Sequence, residues 1–171
     1  MAVRELKIYP DPVLREHCRQ VENISEQIHS VLDDLAESMY AHKGIGLAAP
    51  QIGETIRIVV VDVEQKDGTP KLIELINPEI TESSEACCDY EEGCLSFPGE
   101  AHMVTRPARV TLKAQDRQGD VIEFQAEGLL ATALQHELDH LDGELFIDHL
   151  SRLKRSMIVR RMKKRAREAT R

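Results

Sequence analysis

The residues most able to do chemistry in this sequence are His136 and His140, with Glu137 beside the first of them. On an α-helix, residues four apart lie on one face, one turn above the other. Two imidazoles so arranged can bind one metal ion, and the adjacent carboxylate can move a proton, as in metal-activated hydrolases. The pentapeptide alone also fits a solvated helix with two surface histidines. Neighbouring leucines make this segment apolar on more than one side, so we expect a buried helix whose polar groups have partners.

A catalytic metal site of this kind needs a third protein ligand and an open position for water. Metzincin proteases place a third histidine six residues after the second, but this chain has Phe146 there. Glu168 lies in a basic tail and is a poor candidate. We therefore expect the third ligand upstream, where Cys94 stands among turn-forming residues and offers a soft thiolate donor. The other cysteines are predicted to be reduced structural or surface thiols: Cys18, Cys87 and Cys88.

Three segments of the chain together resemble the peptide deformylase family. Residues 44–51 read GIGLAAPQ, residues 92–96 read EGCLS, and residues 135–143 read QHELDHLDG. They occur in the family's order and at similar spacing, and the resemblance covers nearly the whole chain. It implies a metallohydrolase that removes the N-formyl group from the formyl-methionine of newly synthesised proteins and releases formate.

The resemblance also implies roles for individual residues. Glu137 takes a proton from water and returns it to the leaving amine, while the Gln51 amide and the Leu95 backbone N–H stabilise the oxyanion. The implied metal ligands are Cys94, His136 and His140. The residues expected to bind substrate are Ile45, Gly46, Tyr90, Glu92, Leu129 and Ala133. The apolar ones are candidates for a methionine pocket, although each also fits core packing.

Two further carboxylates are expected to support the site. The resemblance pairs Glu92 with Arg106, which would brace the segment around Cys94. Asp139, next to His140, is a candidate acceptor for a ligand histidine, or else a plain surface carboxylate. The metal itself is not specified by a Cys-His-His set, since Zn²⁺, Fe²⁺, Ni²⁺ and Co²⁺ all accept such donors. The resemblance implies Fe²⁺ as the native ion.

The elements that must position these residues can be predicted coarsely. Helical spacing between Ile28 and Met39 predicts a helix that starts after a Ser25 cap and ends near Lys43. The predicted strands cover residues 55–63, 72–76, 79–82, 109–114 and 121–126. Residues 97–105 look the least regular. The metal-binding helix is expected after Gly128, and a last helix near Ser151. The pattern predicts an α+β fold with mixed, mainly antiparallel sheets around a central HExxH helix, and a C-terminal basic helix.

Length and composition fit a single catalytic domain over residues 1–150, followed by the basic helix at 151–171. A chain of 171 residues with 42% apolar residues can form one core but is short for two. No apolar run approaches the roughly 18 residues of a membrane span, and the first residues lack the apolar core of an export signal. We therefore expect no membrane partner and, given a thiolate ligand, a cytoplasmic protein.

Charge is divided unevenly along the chain. Residues 151–171 carry ten Lys or Arg and one acidic residue, so the first 150 residues have a net charge of −17 within a total of −8. This division predicts a basic arm for an anionic surface, which for a deformylase indicates the ribosome. The residues expected to tie the helix to the domain are Leu150, Leu153, Met157 and Met162. Those expected to meet rRNA phosphates are Lys154, Arg155, Arg161, Lys163, Lys164 and Arg165. A solvated helix that neutralises the acidic body is the alternative.

Two rival functions share part of this pattern. A zinc endopeptidase also uses HExxH, but it usually needs the downstream third ligand that this chain lacks. A non-catalytic module with a structural metal would need four protein ligands, and it would give Glu137 no role. The deformylase hypothesis accounts for all three segments.

Overall fold

Seven strands and three α-helices form the part of the chain that this computed structural model describes, residues 2–65 and 68–171. The strands are β1 (Gly46–Ala48), β2 (Ile58–Val61), β3 (Ile73–Ser83), β4 (Cys87–Cys94), β5 (Phe97–Pro107), β6 (Arg109–Gln115) and β7 (Val121–Glu127). The helices are α1 (Glu26–Ala41), α2 (Gly128–Leu141) and α3 (Arg152–Ala169). Single 3-10 turns cover Pro12–Arg15, Ala49–Ile52 and Phe146–His149.

The larger sheet has five strands in the order β1–β2–β3–β6–β7, and neighbouring strands run antiparallel. Strand β2 is buried on both faces, which explains its unbroken run of β-branched residues. Val59 and Val61 pack in the core shared with α2, while Ile58 and Val60 pack in the core shared with α1. The sheet is therefore sandwiched between these two helices.

Helix α2 carries the HExxH residues and lies at the centre of the molecule. Its apolar side chains Leu134, Leu138 and Leu141 are buried in the same cluster as the inner face of the sheet. Each such leucine contributes about 2 kcal/mol by leaving water, so the helix is held firmly. The predicted α+β fold with antiparallel strands around a central HExxH helix is confirmed.

The smaller sheet is the β4–β5 hairpin, which makes no ladder with the five-stranded sheet among the described residues. Its register pairs Glu92 with His102 and closes with Cys94 opposite Phe97. The hairpin is held instead by a separate apolar cluster, in which Phe97 packs against Phe146 and the buried side of α3. Packing of side chains, rather than strand pairing, therefore sets the position of Cys94 relative to α2.

The C-terminal helix begins as predicted. Ser151 caps it by accepting a hydrogen bond from the backbone N–H of Lys154. The predicted attachment stripe was partly wrong, because Leu153 is 71% exposed and Met157 50% exposed. Ile158 and Met162 are the buried residues that attach α3 to the hairpin. No helix within residues 2–65 and 68–171 is long and apolar enough to cross a membrane.

Several predicted boundaries were wrong. Residues 97–105, expected to be irregular, lie in β5, and the strands expected at 72–76 and 79–82 are one strand, β3. Asn77 explains the second error: its φ of 52° bends β3 without ending it, and its side-chain amide bonds both backbone polar groups of Val21. Asparagine tolerates this left-handed conformation better than most residues. The predicted strand at 55–63 is limited to Ile58–Val61. Helix α1 ends at Ala41, two residues before the end predicted near Lys43.

Candidate metal centre

Two elements bring three potential metal ligands together. His136 and His140 project from one face of α2, with ring centroids 5.1 Å apart. Cys94 comes from the last residue of β4, just before the hairpin turn. The ligand atoms of the three residues lie within 4.8 Å of one another, and Cys94 Sγ is 3.4 Å from His140 Nε2. Both histidines are buried and Cys94 is half-buried, so the three donors converge in a partly shielded position.

A buried carboxylate orients the first histidine. Glu92 Oε1 lies 2.9 Å from His136 Nδ1, and since an ionised carboxylate only accepts, this nitrogen carries the proton and leaves Nε2 available for a metal ion. Arg106 donates to both Glu92 oxygens, at 2.6 and 2.9 Å. Burial raises the pKa of Glu92, but the hydrogen bonds from His136 and Arg106 outweigh it and hold the pKa below its ordinary value.

The acceptor role considered for Asp139 is not the one found. Asp139 Oδ2 accepts from Arg106 Nη1 at 2.8 Å and lies 2.9 Å from His149 Nε2. Although Asp139 precedes His140 in sequence, consecutive helix residues point in different directions. Within the described residues, His140 Nδ1 has no hydrogen-bond partner. Asp139 therefore supports Arg106 rather than a ligand histidine directly.

Replacing Glu92 by glutamine tests this support. Glu92→Gln removes the charge opposite Arg106, whose side chain is only 4% exposed. We expect the free energy of unfolding to fall by about 3 kcal/mol. This value is at the lower end of what breaking a buried ion pair costs, because Asp139 still accepts a hydrogen bond from Arg106. Metal affinity should fall by about 10–100-fold as His136 loses its orientation. Denaturant unfolding and metal titration measure the two effects.

The control for this variant is Glu91→Gln, which changes an exposed carboxylate at the adjacent position. It should leave the free energy of unfolding and the metal affinity nearly unchanged. If Glu92→Gln kept the metal affinity of the unaltered protein, Glu92 would have no part in orienting His136.

Glu137 is buried and lies beside the three donors. Its Oε2 atom has no hydrogen-bond partner in the described part of the chain, and burial raises the pKa of its carboxyl to about 7. Gly46 packs directly on it, since a Cβ at this position would lie 2.7 Å from Glu137 Oε1. The glycine is therefore required for the close approach of this backbone to the Glu137 side chain. A carboxyl group that titrates near neutral pH suits general acid–base chemistry.

Gln51 is held so that its amide nitrogen faces the cysteine. Its Oε1 accepts from the backbone N–H of Ala48 at 2.9 Å, which forces the amide NH₂ group to the other side. There Nε2 lies 3.1 Å from Ser96 Oγ and 3.5 Å from Cys94 Sγ. Leu95 follows Cys94 in the hairpin turn. Both donors expected from sequence thus lie next to the ligand cluster.

A cavity of about 390 Å³ opens beside these groups. The expected substrate residues that line it are Ile45, Gly46, Glu92, Leu129 and Ala133. Tyr90 does not line it, because it lies two residues before Glu92, about 7 Å further from the hairpin turn along β4. Sequence reasoning missed three further lining residues, Pro98, Gly99 and Glu100. No local pattern marks Glu100, whose partner Arg161 is 61 residues away.

The donor set fits a transition-metal ion. One cysteine sulfur and two imidazole nitrogens suit Zn²⁺, Fe²⁺, Co²⁺ or Ni²⁺ better than hard cations such as Mg²⁺. Three such donors would leave a position for a reacting molecule, which is typical of catalytic rather than structural sites. Glu137, whose Oε2 atom has no hydrogen-bond partner among the described residues, lies beside these donors, as expected for a metallohydrolase.

Comparison with known proteins decides the family. The family model for polypeptide deformylase matches residues 3–156 of the chain. The chain belongs to the peptide deformylase family. The peptide deformylase of Mesorhizobium japonicum is 51% identical over 168 residues, which cover 98% of this chain and 96% of that protein.

Solved deformylase structures have the same fold. The peptide deformylase from Legionella pneumophila superposes with a TM-score of 0.90 at 43% identity and covers 99% of both chains. The enzyme from Ehrlichia chaffeensis, in complex with actinonin, gives a TM-score of 0.91 at 37% identity, with 96% of this chain and 98% of that chain covered. This deformylase is a metal-dependent hydrolase that removes the N-formyl group from newly synthesised peptides.

Proposed function

We propose that this deformylase binds one divalent metal ion through Cys94, His136 and His140 and uses Glu137 as its general base. The observation that carries the proposal is the buried Glu137 carboxylate beside three converging donors, with an Oε2 atom that no group in the described part of the chain hydrogen-bonds. A buried carboxylate without a partner is costly, and a proton-transfer role explains why it is there.

The proposed reaction follows from the positions of these groups. Cys94, His136 and His140 would hold the ion, which would supply Lewis acidity and lower the pKa of the attacking water toward neutrality. Glu137 accepts the proton of the attacking water on a carboxylate oxygen and then delivers it to the departing amine nitrogen. Gln51 Nε2 and the Leu95 backbone N–H donate to the oxyanion that develops on the formyl oxygen. Each such donor typically contributes about 10²–10³ in rate.

The substrate is proposed to bind as an extended strand beside β1. This strand lies at the edge of the five-stranded sheet, and an extended peptide can add to such an edge through main-chain hydrogen bonds. The Ile45–Gly46 segment borders the cavity. We assign the methionine pocket to the apolar side chains of Ile45, Leu129 and Ala133, which line the same cavity.

Fe²⁺ is the native ion that we propose, with Zn²⁺, Ni²⁺ and Co²⁺ as possible substitutes. The thiolate and imidazole donors accept all four ions, so availability in the cell decides which is bound. The cytoplasm is the proposed compartment, because a thiolate ligand needs reducing conditions. The described cysteines are free thiols, which is consistent with this proposal.

Formate release from a formyl-Met peptide by iron-loaded protein, purified without oxygen, tests the function. We expect turnover of the formylated peptide and none of the matching acetylated peptide. Cleavage of unformylated internal peptide bonds without formate release would instead indicate an endopeptidase.

The C-terminal helix is proposed to dock the enzyme on the ribosome. Helical spacing places Arg160, Lys164 and Arg167 on one exposed face with Leu153 and Met157. Arg161 and Arg165 contact the domain instead, through Glu100 and the Pro98 carbonyl. We therefore no longer assign rRNA contacts to these two arginines. We assign these contacts instead to the outward face of α3, whose positive charge complements a polyanion.

Charge reversal of the outward face tests docking. The triple variant Arg160→Glu, Lys164→Glu, Arg167→Glu should lose salt-sensitive co-sedimentation with ribosomes. Each lost phosphate contact lowers the slope of log binding constant against log salt concentration by about one. Hydrolysis of a short formyl peptide should remain within about twofold, because these residues lie outside the cavity. Unchanged co-sedimentation would leave α3 as a solvated helix.

A further inference from the structure

Glu100 is a buried carboxylate in the cavity wall. Its side chain is 5% exposed, and it lines the same cavity as the Ile45–Gly46 segment. It does not belong to the ligand cluster or to the proposed proton pathway. An ionised carboxylate in such a position needs a compensating charge.

That charge comes from the C-terminal helix. Arg161 Nε donates to Glu100 Oε1 at 2.8 Å, and Arg161 Nη2 donates to Glu100 Oε2 at 2.9 Å. This two-point contact fixes both the position and the plane of the carboxylate. The hydrogen bond from Arg161 holds the pKa of Glu100 below its ordinary value. His102 is further away, with its Nε2 atom 3.7 Å from Glu100 Oε2.

A second arginine holds the backbone of the same wall. Arg165 Nη1 donates to the carbonyl oxygen of Pro98, and Arg165 Nη2 lies 3.9 Å from Glu100 Oε1. Between these contacts, Gly99 has a φ of 80°, a left-handed conformation that glycine adopts without strain. The resulting bend turns the Pro98 carbonyl and the Glu100 side chain toward the same helix.

We propose that Arg161 is a positioning residue for substrate binding. Through Glu100 it fixes the 98–100 wall of the cavity and neutralises a charge that would otherwise face the bound peptide. Arg161 lies outside the cavity lining, so its loss should weaken substrate binding and leave the chemical step intact. The proposal rests on the assignment of this cavity as the peptide site. It gives the C-terminal helix a role in substrate selection that is separate from docking.

The test measures kcat and KM for three formyl-Met tripeptides that end in a neutral, an acidic or a basic residue. Arg161→Ala should raise KM for the neutral peptide by about 3–10-fold while kcat changes by less than about twofold. The rise should be about threefold larger for the acidic peptide than for the basic one, because Glu100 then repels negative charge. A purely structural loss would not depend on the charge of the peptide.

Matched variants separate the possible outcomes. Arg160→Ala alters the neighbouring arginine, which is exposed and lies outside the cavity lining, and it should change neither constant. Arg161→Lys should restore most of the affinity. Glu100→Gln removes the charge that Arg161 compensates, so adding Arg161→Ala to it should raise KM by no more than about twofold. If Arg161→Ala does not fold, Arg161→Gln supplies the same comparison, because glutamine removes the charge but keeps a longer side chain.

The results distinguish failure of this inference from failure of the site assignment. Unaltered protein that releases no formate from any peptide would overturn the assignment of the cavity as the peptide site. Active protein in which Arg161→Ala matches Arg160→Ala would overturn only the positioning role. Equal losses for acidic and basic peptides would also overturn it, since they would indicate general loosening of α3.

Discussion

Glu137→Gln is expected to retain the metal ion and lose nearly all turnover. The amide has almost the same shape as the carboxylate but cannot accept the proton of the attacking water. General base catalysis typically increases the rate by about 10²–10⁴-fold. We therefore expect kcat to fall by about 10²–10⁴-fold. Formate release and metal content, measured on the same preparation, check both parts of the expectation.

A matched control is Glu127→Gln, which changes an exposed carboxylate just before α2. It should keep both activity and metal. Near-normal turnover by metal-loaded Glu137→Gln would remove the base assignment, while loss of the metal would indicate that Glu137 is itself a ligand.

Cys94→Ser is expected to weaken metal binding more than any change outside the ligand set. A hydroxyl is a harder donor and stays protonated at neutral pH, so it poorly replaces a thiolate. The loss of affinity should exceed the roughly 10–100-fold typical of lost supporting hydrogen bonds. In cobalt-substituted protein, the sulfur-to-metal charge-transfer band should disappear with this single substitution.

Cys88→Ser supplies the control for the spectrum. Cys88 lies on the same strand as Cys94 but six residues earlier, outside the group of residues that could share an ion. Its substitution should leave the band unchanged. A band that survived Cys94→Ser would mean that another cysteine is the ligand.

The parts of the fold that were predicted correctly have local signals. The α2 helix could be placed because glycine precedes a run of leucines and the histidines recur four residues apart. The β6–β7 hairpin could be placed because alternating residues flank a short polar turn. In both cases the residues that define the element also make its main contacts, so a short window of sequence holds the necessary information.

The predictions that failed depend on contacts between distant residues. Nothing near Asn77 indicates that Val21 will satisfy its amide and keep β3 continuous. Leu153 and Met157 have the spacing of an attachment stripe, yet α3 packs through Ile158 because the hairpin meets another of its faces. Such outcomes depend on which surfaces meet after the elements form, which hydrophobic spacing does not specify.

The separation of the β4–β5 hairpin from the main sheet divides the metal centre between two units of different stability. The histidines belong to a helix buried against five strands, whereas Cys94 belongs to a two-stranded ribbon of a kind that is only marginally stable by itself. Such a ribbon can open locally at a lower free-energy cost than global unfolding. We therefore expect metal exchange to proceed through local opening of this hairpin, in a chain that otherwise remains folded.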